Sequence, residues 1–313
     1  MSNSWMTFVK SRIIEAIQLA QDAGAGIIGL GAHISPATLG GLTLRKQGGT
    51  IDVNSISKIG ITTGNSLTAG MSVEAVERSV EFLELLPQKA KVGIVGASGS
   101  VGAATSRLLV EEGFVPILNS RSIRTLEAKF KDIKHRVVFS EDLGDMRQCD
   151  VIVVMTSAAT STLMPEHVSP GTIVIEDTQP RNIKGAQAKK MRDDGSVVID
   201  GGFVHVPGYK CGFNLRLPSE TTLACLAETM ILAMEGRTSD YSLGDAQVGK
   251  AREMLRLAKK HNITVALPTW NSRPIDDFVF NRVKQQNIRK NRVIFRKQKS
   301  LIPIASISSY RLY

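Results

Sequence analysis

The sequence predicts an α/β fold, an open, doubly wound parallel sheet with a smaller N-terminal α/β domain and C-terminal helices. Three observations carry this. Beyond Lys91, short apolar runs alternate with helical patterns, the rhythm of parallel crossovers. One of those runs ends in three glycines spaced by three residues. The 313 residues are 42% hydrophobic and 22% charged, enough apolar material for a packed core and too much for a disordered chain.

Phe8 to Gln21 sets Ile13, Ala16, Ile17 and Ala20 at helical spacing, predicting an amphipathic helix. Gly26 to Leu30 reads as a buried strand and Gly31 to Asn54, rich in Gly, Ser and Thr, as a loop. Lys58 to Thr62 then reads as a strand and Ser72 to Leu85 as a helix. After Pro87 the alternation is clean: strand 91–95, helix 100–112, strand 114–118, helix 122–131, then strands 136–139, 150–154, 172–176 and 196–199. Ser219 to Met234 reads as one long apolar helix, N-capped by Ser219 and stopped by Gly236. Ala246 to His261 reads as a surface helix with Ala251, Met254, Leu255 and Ala258 on its apolar face.

The formal net charge is +10. Residues 276–313 carry nine Lys/Arg against two Asp/Glu, a balance of +7, so the remainder is nearly neutral. Without a clear period, this basic tail is expected to be a solvated extension; the alternative is an electrostatic contact with RNA, anionic lipid or an acidic protein. Nucleic acid is not the favoured partner, because the charge is confined to one end. Cys149, Cys211 and Cys225 are too few and too scattered for a disulfide framework or a zinc site, which points to a reducing, cytoplasmic setting and to no bound metal. The N-terminus lacks a signal-peptide core, and no apolar run approaches the ~18 residues of a spanning helix.

The strongest motif is Lys91-Val-Gly-Ile-Val-Gly-Ala-Ser-Gly-Ser-Val-Gly102. Glycine at 96 permits a tight turn, Gly99 lets backbone approach a pyrophosphate, and Gly102 allows close strand–helix packing, while the helix start offers free N–H groups to the anion. This is the Rossmann pattern, with Ser98, Ser100 and Val101 in the cradle. A tight strand-to-helix turn without a ligand is the plainer alternative. At the end of the next strand, where an NAD-binding unit carries a carboxylate, the chain has Asn119, Ser120 and Arg121, then Arg124. Two guanidinium groups and a hydroxyl suit a 2′-phosphate, so NADP(H) is the expected cofactor rather than NAD. Thr156 and Ser157, at the polar end of strand 150–154, are expected to line the dinucleotide.

Cys225 lies on an apolar helix face, where a cysteine by default is a small buried hydrophobe. Its predicted place, well past Ser219, denies it the helix dipole. A carboxylate at Glu228 would raise its pKa if it faced the same side.

Taken together, five blocks resemble the cyanobacterial long-chain acyl-[acyl-carrier-protein] reductases, which form fatty aldehydes. They are Ile28-Gly-Leu-Gly-Ala32, Ile61-Thr-Thr-Gly-Asn65 with Thr68-Ala69, Gly96 to Gly102, Leu223 to Glu235 containing Cys225, and Ile175 to Asn182 followed by Ile199 to Val204. The likeness spans residues 12 to 272. It implies that Cys225 is the nucleophile that takes the acyl group, that NADPH reduces the resulting thioester to aldehyde, and that Thr62, Thr63, Gly64 and Asn65 line the nicotinamide and substrate end. A capped turn is the plainer reading of those four residues. Lys210, Arg216 and His205 are candidates for lowering the thiol pKa. The resemblance further implies an acyl carrier protein or coenzyme A thioester as partner. The organisation expected is a partial N-terminal substrate domain over 1–86, an NADP-binding domain over 87–204, a helical segment carrying Cys225 over 205–275 that packs back on the first domain, and the tail over 276–313. The family has a longer N-terminal segment and no counterpart of the tail. A non-catalytic NADP-binding module and a shikimate dehydrogenase-like ketone reductase are the competing readings.

Overall fold

The computed structural model describes residues 3–31, 34–45, 58–156 and 162–300. The chain begins with α1 (Asn3–Asp22), β1 (Ile27–Gly29), the helical turns α2 (Ile34–Ala37) and α3 (Leu42–Arg45), β2 (Gly60–Thr62) and α4 (Asn65–Phe82). Ile13 and Ile17 of α1 pack on Leu30, Leu44, Ile59 and Ile61 to make a small core over the parallel β1–β2 pair. The stretch 31–54, expected to be a loop, thus holds two helical turns in its described part.

Helix α4 starts at Asn65, not at Ser72. Gly64 turns the chain with a φ of 77°, and the buried carboxylate of Glu228 accepts the Leu67 N–H at 2.7 Å. That bond satisfies one of the orphan donors of the first helical turn. Its acceptor is far away in sequence, so no local pattern announces the start.

The main sheet follows: β3 (Val92–Val95), α5 (Ser100–Glu111), β4 (Ile117–Asn119), α6 (Ile123–Lys129), β5 (Val138–Ser140), β6 (Val151–Val154), β7 (Ile173–Glu176), α7 (Gly185–Asp193) and β8 (Val197–Asp200). All six strands are parallel in the order β5-β4-β3-β6-β7-β8, the doubly wound Rossmann arrangement, with the order reversing between β3 and β6. Ile94, Leu118, Val153 and Ile175 face the core formed with α4 and α5, while Val95, Ile152, Val154 and Val174 face Met146 and Met191. Burial on both faces is why these strands read as unbroken apolar runs. Helix α7 gave no such signal, since Ala188 and Met191 are its buried residues.

The C-terminal part comprises β9 (Phe203–His205), β10 (Thr221–Leu223), α8 (Ala224–Met234), α9 (Val248–Lys260), β11 (Thr264–Val265), the hairpin β12 (Thr269–Trp270) and β13 (Arg273–Pro274), and α10 (Asp277–Ser300). The expected single helix over 219–234 is corrected. Thr221 and Thr222, β-branched and suited to a ladder, pair antiparallel with β9, and the N-cap is Leu223 rather than Ser219. Ala227 and Ile231 of α8 share a core with Ile27, Leu67 and Met254, which seats the C-terminal helices against β1 and α4.

The expectation of a solvated tail is also corrected. Val283 is buried in the core, and Asn287 donates to Asp150 Oδ1 and to the Gly171 carbonyl, both at 2.9 Å. Lys290 reaches the Cys149 carbonyl at 2.8 Å. Cys149, Asp150 and Gly171 precede β6 and β7, so α10 is docked under the amino edge of the sheet. Residues 301–313 lie outside the described residues. Among the described residues no helix is long and apolar enough to cross a membrane, and no group of His, Cys, Asp and Glu has the geometry to hold a metal.

Candidate functional site

Three helix starts meet at the carboxyl edge of the sheet, and each is positioned by a specific turn. Gly96 has a φ of 89°, and a Cβ there would stand 2.8 Å from the Met155 carbonyl oxygen. A Cβ on Gly102 would stand 2.5 Å from the Gly96 carbonyl, so the approach of α5 to β3 needs a glycine there. Gly96 and Ala97 both donate their N–H to the Asn119 carbonyl at 3.1 Å, fastening the turn to the end of β4. Among the described residues the N–H groups of Ser100, Val101 and Gly102 have no protein acceptor. They form the free helix start that suits a phosphate.

The neighbouring polar residues divide into two groups. The Ser98 and Ser120 hydroxyls share a 2.9 Å hydrogen bond, and Arg121 and Arg124 are exposed beside them. Lys129, which the sequence did not single out, donates to the Ser98 carbonyl at 2.9 Å and pairs with Asp245 at 3.0 Å. Asn119 is buried, its side chain reaching the Ser140 carbonyl at 3.4 Å. Ser100 Oγ instead accepts from Asn65 Nδ2 at 3.1 Å and from the Ala246 N–H at 2.9 Å. It joins α5 to α4 and to the strap before α9. Val101 packs against the core. Thr156 stands half-buried after β6, while Ser157 lies outside the described residues.

Cys225 is the second residue of α8, in its first turn. This overturns the expectation that the helix dipole cannot reach it. Ala224 donates its N–H to the Gly202 carbonyl at 2.8 Å, fixing α8 to the turn after β8. The thiol lies in an open cleft of about 160 Å³ whose walls include Thr63, Asn65, Thr68, Asp177 and Gly202. Asn65 therefore belongs both to this cleft and, through Ser100, to the start of α5. Burial pushes the thiol up to about 11; the N–H groups of Leu226 and Cys225 oppose the shift, and the charges of Asp177 and Glu228 reinforce it. The charges acting on the thiol are acidic. His205 is partly exposed with Glu220 at 3.9 Å, and none of His205, Lys210 and Arg216 is among the groups that shift Cys225.

Thr62 and Gly64 act underneath the cleft. The Thr62 hydroxyl donates to buried Glu228, whose carboxyl burial pushes above its usual range against the hydrogen bonds it receives. Gly64 lies against the backbone of Cys225. Asp177 is the residue sequence reasoning missed. It follows β7, accepts a hydrogen bond from Ser72 Oγ, and burial raises its carboxyl to about 6. A Cβ on Gly201 would stand 2.8 Å from the Asp177 Cβ, so the Gly201-Gly202 pair makes room for this side chain. The available signal was an acid placed directly after a buried apolar strand.

No family model matches the chain. The chain is 30% identical over 268 residues to the aminotransferase PigE of a Serratia species, covering 82% of this chain and 30% of that protein. It is 26% identical over 199 residues to the long-chain acyl-[acyl-carrier-protein] reductase of Synechococcus elongatus, covering 60% of this chain and 56% of that protein. The chain thus spans about a third of the length of the first relative and just over half of the second. Among solved structures, the shikimate 5-dehydrogenase of Thermus thermophilus in complex with shikimate is 14% identical with a TM-score of 0.36, over 63% of this chain and 62% of that one. An L-alanine dehydrogenase is 15% identical with a TM-score of 0.33, over 71% and 64%.

Proposed function

We propose that the chain is an NADP(H)-dependent oxidoreductase that accepts an acyl group from a thioester, of acyl carrier protein or coenzyme A, onto Cys225 and releases it as an aldehyde. The observation that carries this reading is the placement of Cys225 in the first turn of α8, in a cleft that shares Asn65 with the start of α5. Likeness to the Synechococcus reductase supports it.

The free N–H groups of Ser100, Val101 and Gly102 fit a pyrophosphate, and Ser98, Ser120, Arg121 and Arg124 fit the 2′-phosphate that distinguishes NADP. Bound NADPH would supply the hydride. The protein's own part is to hold the acyl carbonyl near the first turn of α8, where the N–H groups that already oppose the thiol's upward shift favour negative charge. Thioester exchange is nearly isoenergetic, so placement and a source of thiolate are what the site must provide.

A non-catalytic dinucleotide-binding module is the second reading, favoured by the burial, reinforced by acidic neighbours, that pushes the thiol up to about 11. Intact-protein mass spectrometry separates the two. Wild type mixed with a long-chain acyl thioester is expected to gain one acyl mass, absent from Cys225→Ala, and to discharge it as aldehyde on addition of NADPH. Intact NADPH binding without any adduct establishes the second reading instead.

A further inference from the structure

We infer that Asp177 is the proton acceptor for Cys225 during acyl transfer and returns that proton to the departing thiol. The inference rests on the acyl-transfer reading of the cleft and adds the group that reading leaves open. A nucleophile as strongly protonated as Cys225 has almost no thiolate at neutral pH. Attack therefore needs a base in the same cleft, and Asp177 is the carboxylate in its wall.

The surroundings are built to keep that carboxylate there. Gly201 and Gly202 leave the space a side chain would fill, and Ser72 of α4 donates to one carboxylate oxygen. The backbone of Gly202 is in turn bonded to Ala224, beside the thiol. The titratable groups around Asp177 are few. Glu176, next along the chain, raises its pKa. That neighbour is itself held by Thr178 and the Ile183 N–H. From α8 come Cys225 and Glu228, the latter turned toward Thr62 and Leu67. From α4 come Ser72 and Thr68, which do not titrate at neutral pH, and no cation is among the groups that shift Asp177. With its carboxyl raised to about 6, Asp177 is mostly ionised at pH 7 yet more basic than an ordinary carboxylate, as a general base should be.

The step balances without an outside reagent. As the Cys225 sulfur bonds to the acyl carbon, its proton passes to an Asp177 oxygen. The bond from the acyl carbon to the sulfur of the donor thioester then breaks, and that carrier or coenzyme sulfur leaves with the proton from Asp177. No oxidation state changes.

The test measures two rates on the full chain from pH 5 to 9: acyl-adduct formation with palmitoyl-coenzyme A, and alkylation of Cys225 by iodoacetamide, with Cys225→Ala as the blank. In wild type, acylation is expected to rise through a limb near pH 6 that alkylation, a reaction of pre-formed thiolate, does not share. In Asp177→Asn, acylation should fall by roughly 10²-fold and lose the limb. Alkylation should hold or quicken, because a negative charge beside the thiol is gone. A fall in acylation without a fall in alkylation is something a merely structural role would not produce. An unchanged acylation rate in Asp177→Asn overturns the inference, as does a fall of both rates together. So does absence of the wild-type limb, which needs no variant at all. If wild type is alkylated but acylated by neither palmitoyl-coenzyme A nor a palmitoyl-acyl carrier protein, the acyl-transfer reading itself fails; an adduct indifferent to Asp177 overturns the proton-transfer role alone.

Discussion

A Cβ on Gly64 would stand 2.5 Å from the Cys225 carbonyl oxygen, and nearer still to its Cα, so the turn that starts α4 is also the seat of the first turn of α8. Gly64 has a φ of 77°, where any other L-residue is strained. Gly64→Ala therefore meets two costs at once, about 1–2 kcal/mol from the backbone conformation and more from displacing α8. We expect a stability loss of roughly 2 kcal/mol or more by urea titration, together with loss of the Cys225 acyl adduct. NADPH affinity should change little, since the turn at Gly96 is fastened separately to Asn119.

On the proposed reading, cofactor choice rests on the exposed side chains of Arg121 and Arg124. Arg121→Ala with Arg124→Ala should weaken NADPH binding by roughly 10–100-fold, the worth of one or two charge-assisted hydrogen bonds. NADH binding should stay within about twofold, because the pyrophosphate cradle is backbone. Fluorescence titration with each dinucleotide reads both, and equal loss for the two would assign the arginines to general attraction instead.

How much of this was legible in the sequence follows from the range of the interactions. The strand, glycine turn and helix over 91–111 were legible because each glycine answers a contact within the same unit, as Gly102 does to Gly96. The start of α8 was not, because Thr221 and Thr222 leave the apolar helical pattern intact and are claimed for a strand by β9. Moving the N-cap from Ser219 to Leu223, four residues along, brought Cys225 into the helix dipole. Asp177 was invisible as a site residue for the same reason. Its significance comes from Ser72, Gly201 and Cys225, which lie on three other segments.

Stability should carry the mark of the raised carboxyl. Asp177 binds its proton more tightly in the folded chain, near pH 6, than an ordinary aspartate does at 3.8, so its neutral form favours folding. The contribution is fully present below about pH 4 and is lost as pH rises through 6. Asp177→Asn, permanently neutral, is expected to melt close to wild type at pH 4.5 and above it at pH 7.5, by roughly 1–2 kcal/mol. Calorimetry at the two pH values decides the matter, and a variant that is less stable at pH 7.5 would mean the ionised carboxylate is a net structural partner.

The position of α10 separates its charge from the chemistry. Asn287 and Lys290 bind backbone and carboxylate groups just before β6 and β7, whereas Cys225 and the start of α5 lie beyond the opposite ends of the strands. Long-range steering toward the cleft decays over a Debye length of about 8–10 Å at ordinary ionic strength. Exposed Arg289 and Arg292 point their charge at solvent from the far edge. Neutralising both to Gln should leave acylation by an acyl carrier protein, and its salt dependence, within about twofold. Asn287→Ala should act in the opposite way, costing about 1–3 kcal/mol by stranding the Asp150 and Gly171 acceptors. It should leave the acylation rate of the folded fraction intact. A steep salt dependence lost in the double Gln variant would show that the basic helix recruits an acidic partner after all, from the face opposite the thiol.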